Sequence, residues 1–308
     1  MFWRCIRPNT VAFDVVREPA QEIKGLSGYL ATVIVQCNPL TNRPVKIGLV
    51  QLQVRESKAE NLSRVISSLG SIEHCDLVVF PEYCMGCPTG AVTRDYLINI
   101  AEPLNGKFVE EVKKKSGEES VAVVLPIHEK DDDAVFNTAV VIDRGRTLGG
   151  YRKVHLFDAL GFRESDAFKP GSSSILFTLA GITFGIVTCY DLRFPELMKN
   201  LVLAGARAIL VPAAWYRGPL KEEQWQTLLM ARAQENTSYV IGVGNANEAF
   251  IGRSMVVSPL GVKVLDLGTG DRVGSFELDD DEVTDARRKF PMIEQSRKLP
   301  NVPCKNLN

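Results

Sequence analysis

From Val45 onward the apolar and polar positions fall into regular periods, and those periods predict the elements. Residues 45–53 alternate, with Ile47 and Leu49 on one side, as a first strand; Leu62, Val65, Ile66 and Leu69 then recur at helical spacing. Leu77-Val78-Val79-Phe80 is a short continuous apolar run, the pattern of a strand buried on both faces, and 121–126 and 138–142 repeat it. Residues 182–188 predict another strand, followed by a helix starting near Phe194 whose Leu197/Leu201 and Met198/Val202 pairs sit four apart. A strand at 208–211, a helix around Trp225, Leu228 and Leu229, and a strand at 239–243 follow. Strands at 255–257, 262–265 and 273–278 leave no room for long helices between them. Helices alternating with buried strands, with hairpin-like strands in the middle and near the end, predict an α/β domain of sheets covered by helices.

Residues 1–44 show no clear period and end in the turn-rich Asn38-Pro39-Leu40-Thr41-Asn42-Arg43-Pro44. They are expected to be an N-terminal extension to a domain spanning 45–308. Asp131-Asp132-Asp133 and Lys113-Lys114-Lys115 are short charge runs, expected to be a solvated turn tip and a helix face.

Composition narrows the function classes. The 308 residues are 45% hydrophobic and 24% charged, and 36 Lys+Arg against 37 Asp+Glu leave a net charge of -1. That balance carries no electrostatic footprint for nucleic acid or an anionic membrane. The longest apolar run, around residues 30–35, is far short of the ~18–20 residues that cross a bilayer. The seven cysteines (Cys5, Cys37, Cys75, Cys84, Cys87, Cys189, Cys304) are odd in number and follow no framework spacing, as expected of reduced thiols in a cytoplasmic protein. The first residues lack the apolar stretch of a secretory signal, and Asp14, Glu18 and Glu22 disagree with an acid-poor transit peptide.

Several chemistries have no motif here. There is no phosphate-binding G-x-x-x-x-G-K-[ST] loop, no G-x-S-x-G turn, and neither Gly242-Val243-Gly244 nor Gly268-Thr269-Gly270 has the third glycine of a dinucleotide fingerprint. His128-Glu129 lacks the second histidine of a zincin, and His74 and His155 complete the chain's three histidines. Cys84-Met85-Gly86-Cys87 is a C-x-x-C near His74 and Cys75, so zinc or dithiol redox chemistry is one alternative; a structural zinc site needs a second ligand pair, which is missing.

Three other positions matter more. Cys189 stands where a strand ends and a helix approaches, a place where a helix N-terminus or a cation lowers a thiol pKa. Glu82 follows the buried 77–80 strand through Pro81, at the strand's C-terminal end, where α/β folds bind ligands. Lys153 follows Gly149-Gly150, expected to be a turn. Singly, such residues are a packed core thiol and two surface charges.

Together their segments resemble the nitrilase superfamily of carbon–nitrogen hydrolases. The resemblance rests on Val78-Val79-Phe80-Pro81-Glu82-Tyr83, Tyr151-Arg152-Lys153-Val154-His155-Leu156-Phe157-Asp158 and Val187-Thr188-Cys189-Tyr190-Asp191-Leu192-Arg193-Phe194-Pro195-Glu196-Leu197. Phe136-Asn137-Thr138, Phe162-Arg163-Glu164-Ser165, Pro212-Ala213-Ala214-Trp215, Ala231-Arg232-Ala233-Gln234-Glu235-Asn236 and Gly252-Arg253-Ser254-Met255-Val256-Val257 extend it, in family order, over nearly everything after residue 44. It implies a four-layer α-β-β-α sandwich that dimerises through a helical face, with Cys189 as nucleophile, Glu82 as general base, Lys153 as the cation on the tetrahedral intermediate and Glu164 as a second glutamate beside the lysine. Lys153 and the Tyr190 backbone N–H would form the oxyanion site, and no metal or organic cofactor is implied. Two positions depart from the family pattern: Gln224 precedes Trp225 where histidine is frequent, and Arg253 also replaces a common histidine.

The nucleophile segment lacks the Cys-Trp-Glu of true nitrilases and is similar to the branch containing ω-amidase and deaminated-glutathione amidase. The expected function is hydrolysis of a small linear amide to ammonia and a carboxylic acid through a thioester. Tyr190, Arg193 and Trp215 are the candidate substrate-binding residues; Arg193 or Arg217 would grip a substrate carboxylate, or else serve as a structural ion-pair partner. The alternatives are an N-carbamoyl-amide hydrolase, a nitrilase, or a non-catalytic binding module keeping the fold.

Overall fold

The computed structural model describes residues 31–36, 43–72, 74–88 and 92–298. Strands β1 (Ala31–Gln36) and β2 (Val45–Gln51) precede helix α1 (Lys58–Ser71) and β3 (Leu77–Val79). Helices α2 (Arg94–Ile100) and α3 (Lys107–Glu118) lead to an antiparallel run of β4 (Ala122–Asp131), β5 (Ala134–Asp143) and β6 (Arg146–Arg152). The hairpin β7 (Ser173–Leu179) and β8 (Ile182–Ile186) is followed by α4 (Pro195–Leu203), β9 (Ala208–Ala213), α5 (Lys221–Asn236) and β10 (Tyr239–Gly244). The short strands β11 (Met255–Val257), β12 (Lys263–Asp266) and β13 (Arg272–Leu278) come next, then α6 (Asp280–Lys289) and α7 (Met292–Lys298).

The strands form two mixed sheets, in the orders β1-β7-β8-β9-β10-β11-β12 and β13-β2-β3-β4-β5-β6. The centres are parallel, β8–β9–β10 in one sheet and β2–β3–β4 in the other, and antiparallel pairings flank them, with β1 added in parallel at one edge. The inner faces meet in a shared core, where Ile47, Leu49, Val79 and Val124 oppose Phe177, Phe184, Leu210 and Ile241. Outside the six-stranded sheet, Val65 and Leu69 of α1 and Val109 and Val112 of α3 cover Val78, Val123 and Leu125. Outside the other, Leu197 and Leu201 of α4 and Trp225 and Leu229 of α5 cover Ile209, Val211 and Val240. The result is the α-β-β-α sandwich, and it explains the continuous apolar runs: the central strands have no solvent face.

Local chemistry sets several boundaries. The Ser57 side chain accepts from the Glu60 amide at 3.3 Å and starts α1, and Pro195 occupies the first turn of α4, where its missing N–H costs nothing. Asp132 and Asp133 of the three-aspartate run make the β4–β5 turn, with Asp132 in the left-handed conformation aspartate tolerates.

The structure also differs from the sequence-based expectations. Strand β2 is buried at nearly every position rather than on alternate ones, because a helix layer covers its outer face. Gly149 and Gly150 are not a turn: both lie inside β6, opposite Val141 and Val140, beside a register shift. A Cβ on Gly150 would meet Thr138 Cγ2 at 2.7 Å, so the glycine permits that close pairing. Strand β1 arises within the stretch that showed no period, and its backbone pairs in parallel with β7. Residues 1–30 and 38–42 of that stretch, with Cys5, Cys37 and Cys304, lie outside the described residues. No helix among the described residues is long and apolar enough to cross a membrane.

Candidate active site

Glu82 follows β3, Lys153 follows β6 and Cys189 follows β8, each just beyond a strand's C-terminal end, and the two sheets bring the three together. Lys153 Nζ donates to Glu82 Oε1 at 2.9 Å and lies 2.8 Å from Glu164 Oε2. The Cys189 thiol lines the same cavity as Glu82, whose charge acts on it. Glu82 Oε2 also accepts from the Ala214 backbone N–H at 2.6 Å, at the end of β9. All four polar side chains are buried, Lys153 to 1% exposure.

Asn137 ties the two carboxylates together, its Nδ2 donating to Glu82 Oε1 at 2.8 Å and to Glu164 Oε1 at 3.1 Å. Glu164 further accepts from Tyr83 Oη at 3.1 Å and from the Phe157 amide at 2.7 Å. These bonds leave neither acid to bear its charge alone, which buried carboxylates require.

Burial by itself would depress the Lys153 pKa, but the charges of Glu164 and Glu82 outweigh it and hold the ammonium well above its usual range. The Cys189 thiol moves opposite to the expectation from sequence. Burial, then the Glu82 charge, push its pKa well above the ordinary value, and Lys153 only partly opposes them. The resting group is therefore a thiol. Cys189 opens a five-residue 3-10 turn, Cys189–Arg193, ahead of α4.

Cys189 adopts a φ of 48°. The left-handed conformation costs a residue with a Cβ about 1–2 kcal/mol. The turn is held by Asp191, which accepts from the Thr188 amide at 3.0 Å and from Tyr151 Oη at 2.7 Å.

The site opens into a cavity of about 390 Å³. Tyr190, Arg193 and Trp215 all line it, as do Tyr83, Phe157, Phe162, Tyr216 and Lys221. The Arg193 guanidinium lies over the Trp215 ring, 4.7 Å from its centroid, and Nη2 donates to Gln224 Oε1 at 2.8 Å. Among the described residues Arg193 makes no ion pair, so the structural-partner alternative does not hold for it. Arg217 is exposed and is not among the described lining residues. Both departures from the family pattern have structural partners: Gln224 steadies Arg193, and Arg253 pairs with Asp266 at 2.7 Å and with Glu222 at 3.3 Å.

Cys84 and Cys87 are free, buried thiols, and neither is among the described lining residues. Burial raises both pKa values, that of Cys87 to about 12, which opposes the thiolate that redox chemistry or metal ligation uses. Among the described residues no group of three or more His, Cys, Asp or Glu side chains is disposed to hold a metal ion.

Sequence reasoning did not single out Asn137, Asp191, Lys221 or the Ala214 amide. Asn137 had a legible signal, since it is a polar residue entering an apolar strand that is covered on both faces. The Ala214 amide had none, because every residue but proline offers one.

These features define a class, and comparison with known proteins agrees. The carbon–nitrogen hydrolase family model matches residues 46–288, and the chain belongs to that family of enzymes, within the nitrilase superfamily. It is 33% identical over 208 residues to the deaminated glutathione amidase of Escherichia coli O157:H7, covering 67% of this chain and 79% of that protein. It is 30% identical over 268 residues to the omega-amidase NIT2 of Bos taurus, covering 82% and 95%. The crystal structure of Saccharomyces cerevisiae Nit3, of branch 10 of the superfamily, superposes with a TM-score of 0.74 at 28% identity, covering 85% of this chain and 99% of that one.

Proposed function

We propose that this enzyme hydrolyses a small linear amide carrying a carboxylate, with Cys189 as nucleophile, Glu82 as proton carrier and Lys153 as the oxyanion's cation. The observation that carries the reading is a buried cluster in which the Glu82 carboxylate bonds the Lys153 ammonium and both line one cavity with Cys189.

An amide carbonyl is a weak electrophile, so a thiol with a raised pKa attacks it only as its proton leaves. Glu82 takes that proton while the sulfur bonds to the carbonyl carbon. An ammonium has three donors, and two on Lys153 serve Glu82 and Glu164. The third, with the Tyr190 N–H, stabilises the developing oxyanion, and each such donor is worth about 3–4 kcal/mol in the transition state. As the intermediate collapses, the C–N bond breaks and Glu82 returns the proton to the departing nitrogen, releasing ammonia and leaving a thioester. Glu82 then takes a proton from water, hydroxide attacks the thioester carbon, and the acid departs as Cys189 regains its proton. Every step is carried by side chains, backbone and water.

Arg193 and Lys221 argue for the carboxylate. Both line the cavity without an ion-pair partner among the described residues, and burial followed by the nearby Arg193 charge lowers the Lys221 pKa. A substrate anion relieves that repulsion and gains charge-assisted hydrogen bonds. The family match over residues 46–288 supports a hydrolase domain that begins near residue 45.

The test compares wild type and Cys189→Ala on a panel of carboxylated and neutral amides, N-carbamoyl compounds and nitriles, following ammonia. Wild type is expected to release ammonia and acid from carboxylated amides, and the variant none. Turnover surviving in Cys189→Ala removes the mechanism. Carbon dioxide released with ammonia, or consumption of nitriles alone, replaces the substrate class.

A further inference from the structure

Asp191 takes no part in the steps above, yet it is fully buried and engaged on both oxygens. Its Oδ1 accepts from the His155 backbone N–H and lies at hydrogen-bond distance from His155 Nδ1, both at 2.8 Å. Its Oδ2 accepts from Tyr151 Oη at 2.7 Å and from the Thr188 amide at 3.0 Å. Tyr151 and His155 lie two residues to either side of Lys153, and Thr188 immediately precedes Cys189. One carboxylate therefore straps the end of β6, in the six-stranded sheet, to the turn after β8, in the other.

We propose that Asp191 is a positioning residue for hydrolysis: it sets the Cys189 turn against the Lys153 segment so that sulfur, carboxylate and ammonium share one locus. The inference rests on Cys189 being the nucleophile. The bonding pattern demands a carboxylate, because each oxygen faces two groups and an acid-free amide would turn its own N–H₂ toward donors. The left-handed backbone of Cys189 needs an outside constraint to persist, and the bond from the Thr188 amide to Asp191 is one. The His155 ring is itself held in place, stacked on Phe194 with centroids 3.6 Å apart and planes 7° from parallel. Removing the strap leaves the apolar packing of both sheets intact and loosens only the register between their ends. Misplacement of reacting groups by on the order of 1 Å costs about 100-fold in rate.

The test uses Asp191→Asn and Tyr151→Phe in the full chain. The readouts are kcat and KM for ammonia release, normalised to Cys189 alkylated by iodoacetamide on its own peptide, together with thermal unfolding. Asp191→Asn is expected to lose about 100-fold in kcat per reactive sulfur, with KM within about threefold, because register rather than binding is lost. A merely structural role lowers the unfolding temperature and leaves kcat per reactive sulfur unchanged, and that result overturns the proposal. Should Asp191→Asn not fold, Tyr151→Phe decides: it keeps the carboxylate and removes one donor, so a smaller loss of kcat at constant KM supports the strap and wild-type kcat refutes it. Turnover surviving Cys189→Ala is a different failure, which removes the nucleophile on which the inference stands.

Discussion

Replacing Lys153 by methionine removes an ammonium from between two buried carboxylates while keeping a chain of similar length. In the native protein Nζ lies within 2.9 Å of Glu82 and 2.8 Å of Glu164, and the lysine is 1% exposed. Its folded pKa is raised. The stability it contributes is therefore fully present below the unfolded value of about 10.4 and lost only as pH climbs through the still higher folded one, so Lys153 adds no pH dependence between pH 5 and 8. Without the cation, two carboxylates bridged by Asn137 repel each other in a buried site, and one of them holds its proton to higher pH. The unfolded chain releases that proton near pH 4.3, so the variant loses about 1.4 kcal/mol relative to wild type per pH unit until the raised pKa is passed. Stripping one partner from a buried pair costs about 3–5 kcal/mol at neutral pH, which is reached over about 2–4 pH units. Urea unfolding of both proteins at pH 5 and pH 8 should show the deficit larger at pH 8 by about 2–4 kcal/mol. Equal deficits at the two pH values would refute the reasoning.

Glu82→Gln removes the second largest influence raising the Cys189 pKa, so iodoacetamide should alkylate Cys189 faster at pH 8 while ammonia release collapses; both rates falling together sinks the assignment of base and nucleophile. Arg193→Ala and Lys221→Ala should each raise KM for a carboxylated amide about 10–100-fold and change a neutral amide little, in line with about 1.5–3 kcal/mol for a charged hydrogen bond. Equal effects on both amides, measured by initial rates, would remove their role in specificity. Gly171→Ala should destabilise the chain and slow turnover, because its Cβ would meet the Arg152 carbonyl oxygen at 2.2 Å and push the backbone that carries Lys153. A thermal melt and kcat both at wild-type values would contradict that.

The central strands were legible because burial on two faces leaves no room for polar residues, so 77–80 and 208–211 stand out as unbroken apolar runs. Strand β6 was hidden because Arg146-Thr147-Leu148-Gly149-Gly150-Tyr151-Arg152 mixes surface residues with glycines whose purpose is close pairing. Helix α3 showed only through its Lys113–Lys115 face, since Phe108, Val109 and Val112 make a narrow buried stripe among lysines and glutamates. Within the site, strand-end position and family resemblance together led to Glu82, Lys153, Glu164 and Cys189, which the fold brings into one cluster. The direction of the Cys189 pKa was misjudged because local sequence shows an approaching helix, whereas burial and a carboxylate from a distant strand dominate. Asp191 was present in the quoted nucleophile segment, but its partners lie 40 and 36 residues away, and no local pattern reveals such a strap.

Because one sheet delivers the sulfur and the other the carboxylate and the ammonium, the proposed mechanism makes a chain with only one sheet formed chemically silent. Before the layers close, the thiol is an ordinary cysteine and the glutamate and lysine are ordinary solvated charges. On that mechanism, activity requires the two layers to be closed on each other and is lost with the first parting between them.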